Sequence, residues 1–155
     1  MNFFLSVLLL TADASGESLE HLRAAKWKET IPKVVICDGL PIETELVQKS
    51  VEYWRARGEK IGAIQRKTCA EEPKWGEIAI YRGDDLPEDH AGEAMRYLKN
   101  EKVPPKIDQI TRASIYIKER HIDSEILIRH ELGHALGFTD SDDEDSVMSS
   151  TGSLY

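Results

Sequence analysis

Apolar and polar positions repeat with two different periods along the chain, and each change of period marks an element. Lys33–Cys37 is a short β-branched run and predicts a strand. Residues 43–57 follow as a helix, with Val47, Val51 and Trp54 on one face. After Gly58 a second strand is expected over residues 61–66, and residues 67–76, with Pro73 and Gly76, read as a loop. Glu77–Arg82 predicts a strand with Ile78 and Ile80 on one face, and residues 83–90 form an acidic loop. Ala91, Ala94, Met95 and Leu98 have helical spacing, which predicts a short helix ended by Pro104 and Pro105. Residues 112–118 alternate, turning Ala113, Ile115 and Ile117 inward. Ile128, Leu132, Ala135 and Leu136 return to the 3.6-residue period. Asp123 or Ser124 is placed to cap that last helix, and Gly137 to end it in a left-handed conformation.

Composition bounds the answer without choosing a function. At 155 residues the chain forms one domain with room for a real core, and 41% hydrophobic with 31% charged residues fits a soluble globular protein. The formal charge of −8 argues against general nucleic-acid binding. Much of the negative excess is local, in residues 84–89 and 140–145. No run is long enough for a membrane-spanning helix. Phe3 to Leu10 is apolar, and Ala12-Asp13-Ala14 resembles a cleavage site, so residues 1–14 read as a signal peptide and residues 15–155 as the single functional domain. The competing reading of the same stretch is a buried first strand. Export is compatible with one disulfide between Cys37 and Cys69, neither of which has zinc-site spacing.

The chemistry is concentrated in residues 130–140. His130 and His134 are four apart, so a helix stacks them on one face, where both rings can share one metal ion. Glu131 lies beside them, placed to act as general base on a metal-activated water and to return the proton to the leaving group. Shuffling this composition produces His-Glu-x-x-His followed by Gly at the position of Gly137 with a probability of only about 0.001. Gly137 lets the chain turn, so that Asp140, six residues beyond His134, can come back under the metal as a third ligand. Asp142 and Asp143 remain alternatives for that role, since all three belong to one acidic run. Three protein ligands leave a fourth position open, which marks a catalytic rather than a structural site. His21, His90 and His121 are isolated, and surface or core roles are expected for them. Tyr81 and Tyr116 are candidates for stabilising an oxyanion or, as strand residues, for half-buried packing.

His130-Glu131-x-x-His134-x-x-Gly137-x-x-Asp140, followed by Ser146-Val147-Met148-Ser149, resembles the metzincin zinc proteases. The wording around His130 is most similar to the matrixins, which usually carry a third histidine where this chain has Asp140, and the snapalysin branch is similar in using aspartate there. The resemblance is carried by residues 123–150. It implies an α+β fold in which a mixed twisted sheet packs on an N-terminal helix and a zinc-binding active-site helix. It implies Zn2+ held by His130, His134 and Asp140, Glu131 as acid–base, Met148 as the Met-turn methionine beneath the metal, and Gly137 as the turn. It also implies that one edge strand above the site pairs with an extended peptide substrate. Residues 77–82 and 111–118 are the candidate rim segments. The expectation is a secreted or extracytoplasmic zinc metalloendopeptidase, a monomer acting on peptides or proteins. Two other readings fit the same residues: a zinc-binding module without catalysis, and a metallohydrolase acting on cell-wall peptides.

Overall fold

Val34, Ile36, Ile78, Ile80, Ala113, Ile115 and Ile117 project from one face of a single sheet, and burying that face requires a cover. Two helices supply it. The computed structural model describes residues 18–99 and 107–150. Its main elements run β1 (Ala25–Lys26), β2 (Lys33–Cys37), α1 (Thr44–Ala56), β3 (Ile64–Lys67), β4 (Glu77–Arg82), β5 (Gly92–Lys99), β6 (Asp108–Ile117) and α2 (Glu125–Leu136). The N-terminal segment expected to be a signal peptide, the Pro104-Pro105 break and the last five residues lie outside the described residues.

The sheet has six strands in the order β1–β6–β4–β2–β3, with β5 pairing to β6. All the pairings are parallel except that of β5, which runs antiparallel along β6. The architecture is therefore a mixture of helix and strand around a mostly parallel sheet. No helix among the described residues is long and apolar enough to cross a membrane.

Helix α1 covers the sheet with Val47, Val51 and Trp54, and α2 lies against it with Leu127, Ile128, Leu132, Ala135 and Leu136. Each large apolar side chain buried there stabilises the fold by about 1.5–3 kcal/mol. Trp54 joins the two helices: its indole Nε1 donates to the Arg129 carbonyl at 2.9 Å, and its ring stacks on Phe138 at 5.0 Å. The opposite sheet face is smaller in its burial. There Val35, Cys37 and Ala79 pack with Cys69, and the Cys37–Cys69 disulfide ties the loop after β3 to β2.

Three expectations change. Residues 91–98 do not form a helix; Gly92–Lys99 is strand β5. The helical spacing rested on four small or apolar residues, whereas β6 presents a long backbone edge that β5 pairs from Gln109 to Ile117. Eight residues of ladder hydrogen bonding override a weak local period. The second strand is Ile64–Lys67 rather than residues 61–66. Ile61 and Gly62 precede the strand instead, where both carbonyls accept from Arg55 and the Gly62 N–H donates to the Pro32 carbonyl. Finally, neither expected rim segment is a free edge, because β4 lies between β6 and β2, and β6 lies between β4 and β5. Among the described residues, β5 pairs with β6 alone, as does the two-residue β1, so the long strand with an unpaired side at that end of the sheet is β5.

Candidate metal centre

Helix α2 starts at Ser124, whose hydroxyl accepts from the Leu127 N–H, and ends at Gly137 with φ +115°. That conformation belongs to glycine. The spot is also closed to any side chain, because a Cβ on Gly137 would collide with the Ala25 carbonyl oxygen. The turn is fastened to β1: the Ala24 and Ala25 N–H groups both donate to the Gly137 carbonyl. The chain then reverses beneath the helix. Ser141 N–H donates to Met148 O at 2.7 Å, and Ser150 N–H donates to Ser141 O at 3.1 Å, closing the loop that carries the acidic run.

This closure brings His130, His134 and Asp140 together. The two Nε2 atoms are 3.0 Å apart, and Asp140 Oδ1 lies 3.4 Å from His130 Nε2 and 3.1 Å from His134 Nε2. A tetrahedral ion with bonds of about 2.0–2.1 Å needs ligand atoms about 3.3–3.4 Å apart, so the group has nearly the right spacing for one metal. The ring tautomers support the same conclusion. His130 Nδ1 lies 2.9 Å from the Val147 carbonyl, and His134 Nδ1 lies 2.9 Å from the Phe138 carbonyl. A carbonyl only accepts, so each Nδ1 carries a proton and each ring presents its Nε2 toward Asp140. Burial, with the neighbouring His134 ring, pushes His130 below the usual histidine range and keeps it neutral. Two ring nitrogens and a carboxylate converging on one point could hold a cation. Asp142, Asp143 and Asp145 are exposed and stand outside this group.

Glu131 is buried beside the ligands, 5% exposed. Burial first, then the charges of Asp140 and Glu93, push its carboxyl up to about 8. Room for it comes from Gly92, at the start of β5: a Cβ there would stand 3.1 Å from Glu131 Oε1. Met148 is fully buried under α2, against Gly133 and Trp54.

The site opens into a cleft of about 610 Å³ walled by α2 on one side and β5 on the other. His90 and His121 line it, although nothing in their sequence spacing marked them, and so do Gly92 and Arg96. Those two were hidden by the helical reading of residues 91–98; read as a strand, Gly92, Ala94 and Arg96 fall on one face. His21 lies elsewhere, with its Nδ1 on the Ser18 carbonyl. Tyr81 and Tyr116 stack on each other at 5.4 Å, outside the cleft, where Tyr81 donates to the Ala70 carbonyl. A larger recess of about 780 Å³ lies near Trp27 and Arg57, away from the convergent ligand set. No protein-family model matches the sequence, and no curated protein is significantly similar to it.

Proposed function

We propose that the protein is a zinc-dependent metalloendopeptidase of metzincin type, with His130, His134 and Asp140 as ligands and Glu131 as acid–base. The observation that carries this reading is a buried carboxyl, Glu131, next to three convergent ligand atoms at the floor of an open cleft. Zinc suits the donor set of two imidazoles and one carboxylate, and with three protein ligands it keeps a position for chemistry. When bound, it would supply Lewis acidity toward a substrate carbonyl and lower the pKa of a water.

The chain's own residues supply the rest. Glu131 has a proton affinity near neutrality in the metal-free fold. A nearby dication lowers that affinity, which suits a group that must both take up and release a proton. It takes a proton from the attacking water at its carboxylate and passes it to the departing amine nitrogen. Phe138 and Val147 hold the imidazoles by their backbone carbonyls, so the ligands need no reorganisation. The unpaired side of β5 offers backbone N–H and C=O groups to an extended peptide, which would add to the sheet as a strand. An edge strand beside the His130, His134 and Asp140 group is what the metzincin resemblance implies, and it supports that reading over a generic zinc helix. The disulfide is in keeping with an oxidising, extracytoplasmic location.

Glu131→Gln should bind zinc stoichiometrically and lose at least 100-fold in hydrolysis of denatured casein, by the scale of general acid–base effects of about 10²–10⁴. A variant as active as the parent overturns the mechanism. Stoichiometric zinc in the parent without chelator-sensitive cleavage would favour the non-catalytic reading.

A further inference from the structure

Arg96 and Arg120 are the arginines among the described residues that line the cleft, and Arg120 donates to the Glu88 carbonyl at 2.8 Å. Arg23, Arg82, Arg112 and Arg129 each pair with a carboxylate. Among the described residues, no carboxylate reaches Arg96. Its hydrogen bonds are long ones from Nη1, 3.4 Å to the His134 carbonyl and 3.4 Å to the Phe138 carbonyl. The side chain is half-buried and lines the cleft. A guanidinium held there offers further N–H donors in a fixed planar fork, a geometry that matches a carboxylate.

Its position along β5 says where such a carboxylate would lie. Gly92, Ala94 and Arg96 share one strand face, and Gly92 abuts the Glu131 carboxyl. Two small residues therefore leave a trough that starts at the acid–base and ends at the guanidinium, about 13 Å along the strand at about 3.3 Å per residue. Arg96 touches the main chain of His134, one side-chain length from a metal-binding nitrogen. Glu93, the nearest acid on β5, stands at the other end, where its charge acts on Glu131.

We propose that Arg96 is a specificity-determining residue that binds a substrate carboxylate, from an acidic side chain or a free chain terminus, within a few residues of the scissile bond. The proposal rests on the peptidase reading of the same cleft. The competing role is structural: Arg96 caps the carbonyl end of α2.

The test uses the full zinc-loaded chain in the Glu131→Gln background, so that binding is read without turnover. The probes are alanine-based peptides with Glu at successive positions, their Gln counterparts, and each set with a free or amidated C-terminus. At one position Glu should bind about 10-fold more tightly than Gln, the scale of one charge-assisted hydrogen bond. If the terminus is the ligand, amidation should produce that loss instead. Arg96→Gln keeps an N–H donor for the carbonyls and should abolish the preference, while Arg96→Lys should retain part of it. The same preference should appear in kcat/KM of the active parent. Equal binding of Glu and Gln peptides and of free and amidated ones by the parent overturns the proposal, as does an Arg96→Gln variant that weakens every peptide equally. A preference for carboxylates in binding with no hydrolysis by the parent would instead remove the peptidase reading and leave Arg96 as an anion anchor.

Discussion

Glu131 is an acid placed where its charge is unwelcome. Burial is the largest cause of its rise to about 8, and Asp140 and Glu93 add to it. The consequence for stability has a definite sign. A carboxyl whose folded pKa is raised above its unfolded value contributes fully only below that unfolded value, near 4.5, and the contribution is lost as pH climbs through about 8. Glu131→Gln does not titrate. Metal-free wild type should therefore fall in Tm relative to metal-free Glu131→Gln between about pH 4.5 and pH 8, by several degrees, and the gap should level off above that window. Melting curves that stay parallel across the range would show that Glu131 is not held in an environment hostile to charge. Zinc should narrow the gap, because the cation offsets the carboxylate's charge.

At the scale of the element, α2 shows how tightly the site is built from below. Gly133 sits in mid-helix, where alanine has the better intrinsic propensity by about 1 kcal/mol. Packing overrides that preference. A Cβ at Gly133 would stand 2.6 Å from Trp54 Cζ2 and closer still to Met148 Sδ. Trp54 is also anchored by its hydrogen bond to Arg129, so it has little room to retreat. Overpacking of this kind costs about 1–3 kcal/mol, against the roughly 1 kcal/mol that propensity returns, and a collision with an anchored ring lies toward the upper end. Gly133→Ala should therefore lower the urea midpoint, by a net of roughly 1–2 kcal/mol, instead of raising it. Pairing it with Met148→Ala should recover part of the loss, since the collision with sulfur is removed. A Gly133→Ala protein more stable than the parent would mean that α2 floats free of the residues beneath it. Met148 thus acts as a packing surface that sets the height of the helix, and with it the level of both histidines.

Over the whole molecule, the sheet separates two jobs. Its inner face carries α1, α2 and the ligand group, and its outer face carries the disulfide-tied loop. Joining Cys37 to Cys69 across 32 positions restricts the unfolded chain by about 3–4 kcal/mol on the loop-entropy account. The double replacement Cys37→Ser with Cys69→Ser should lose about that much stability in denaturant titration and keep one zinc per chain while folded. Loss of zinc by a folded variant would place the outer loop in control of the site. Much of the ligand group was legible in the residues alone. A separation of four places His130 and His134 together on any helix, and Gly137 announces its turn because the left-handed conformation strongly favours glycine. The strands at Lys33–Cys37 and Glu77–Arg82 were likewise legible, because buried strands concentrate β-branched and apolar residues. Residues 92–99 were not, because an edge strand buries little and its conformation comes from the partner it pairs with. With that strand the far wall of the cleft, Gly92 and Arg96 stayed out of sight. The choice of Asp140 among three neighbouring aspartates was also beyond local pattern, since it depends on the closure of Ser141 against Met148 and Ser150. Local sequence determined the helix, its cap and its two histidines, through interactions a few residues long. Tertiary structure decided which aspartate joins the two histidines and what forms the cleft wall, because both rest on pairings with chain that is distant or folded back.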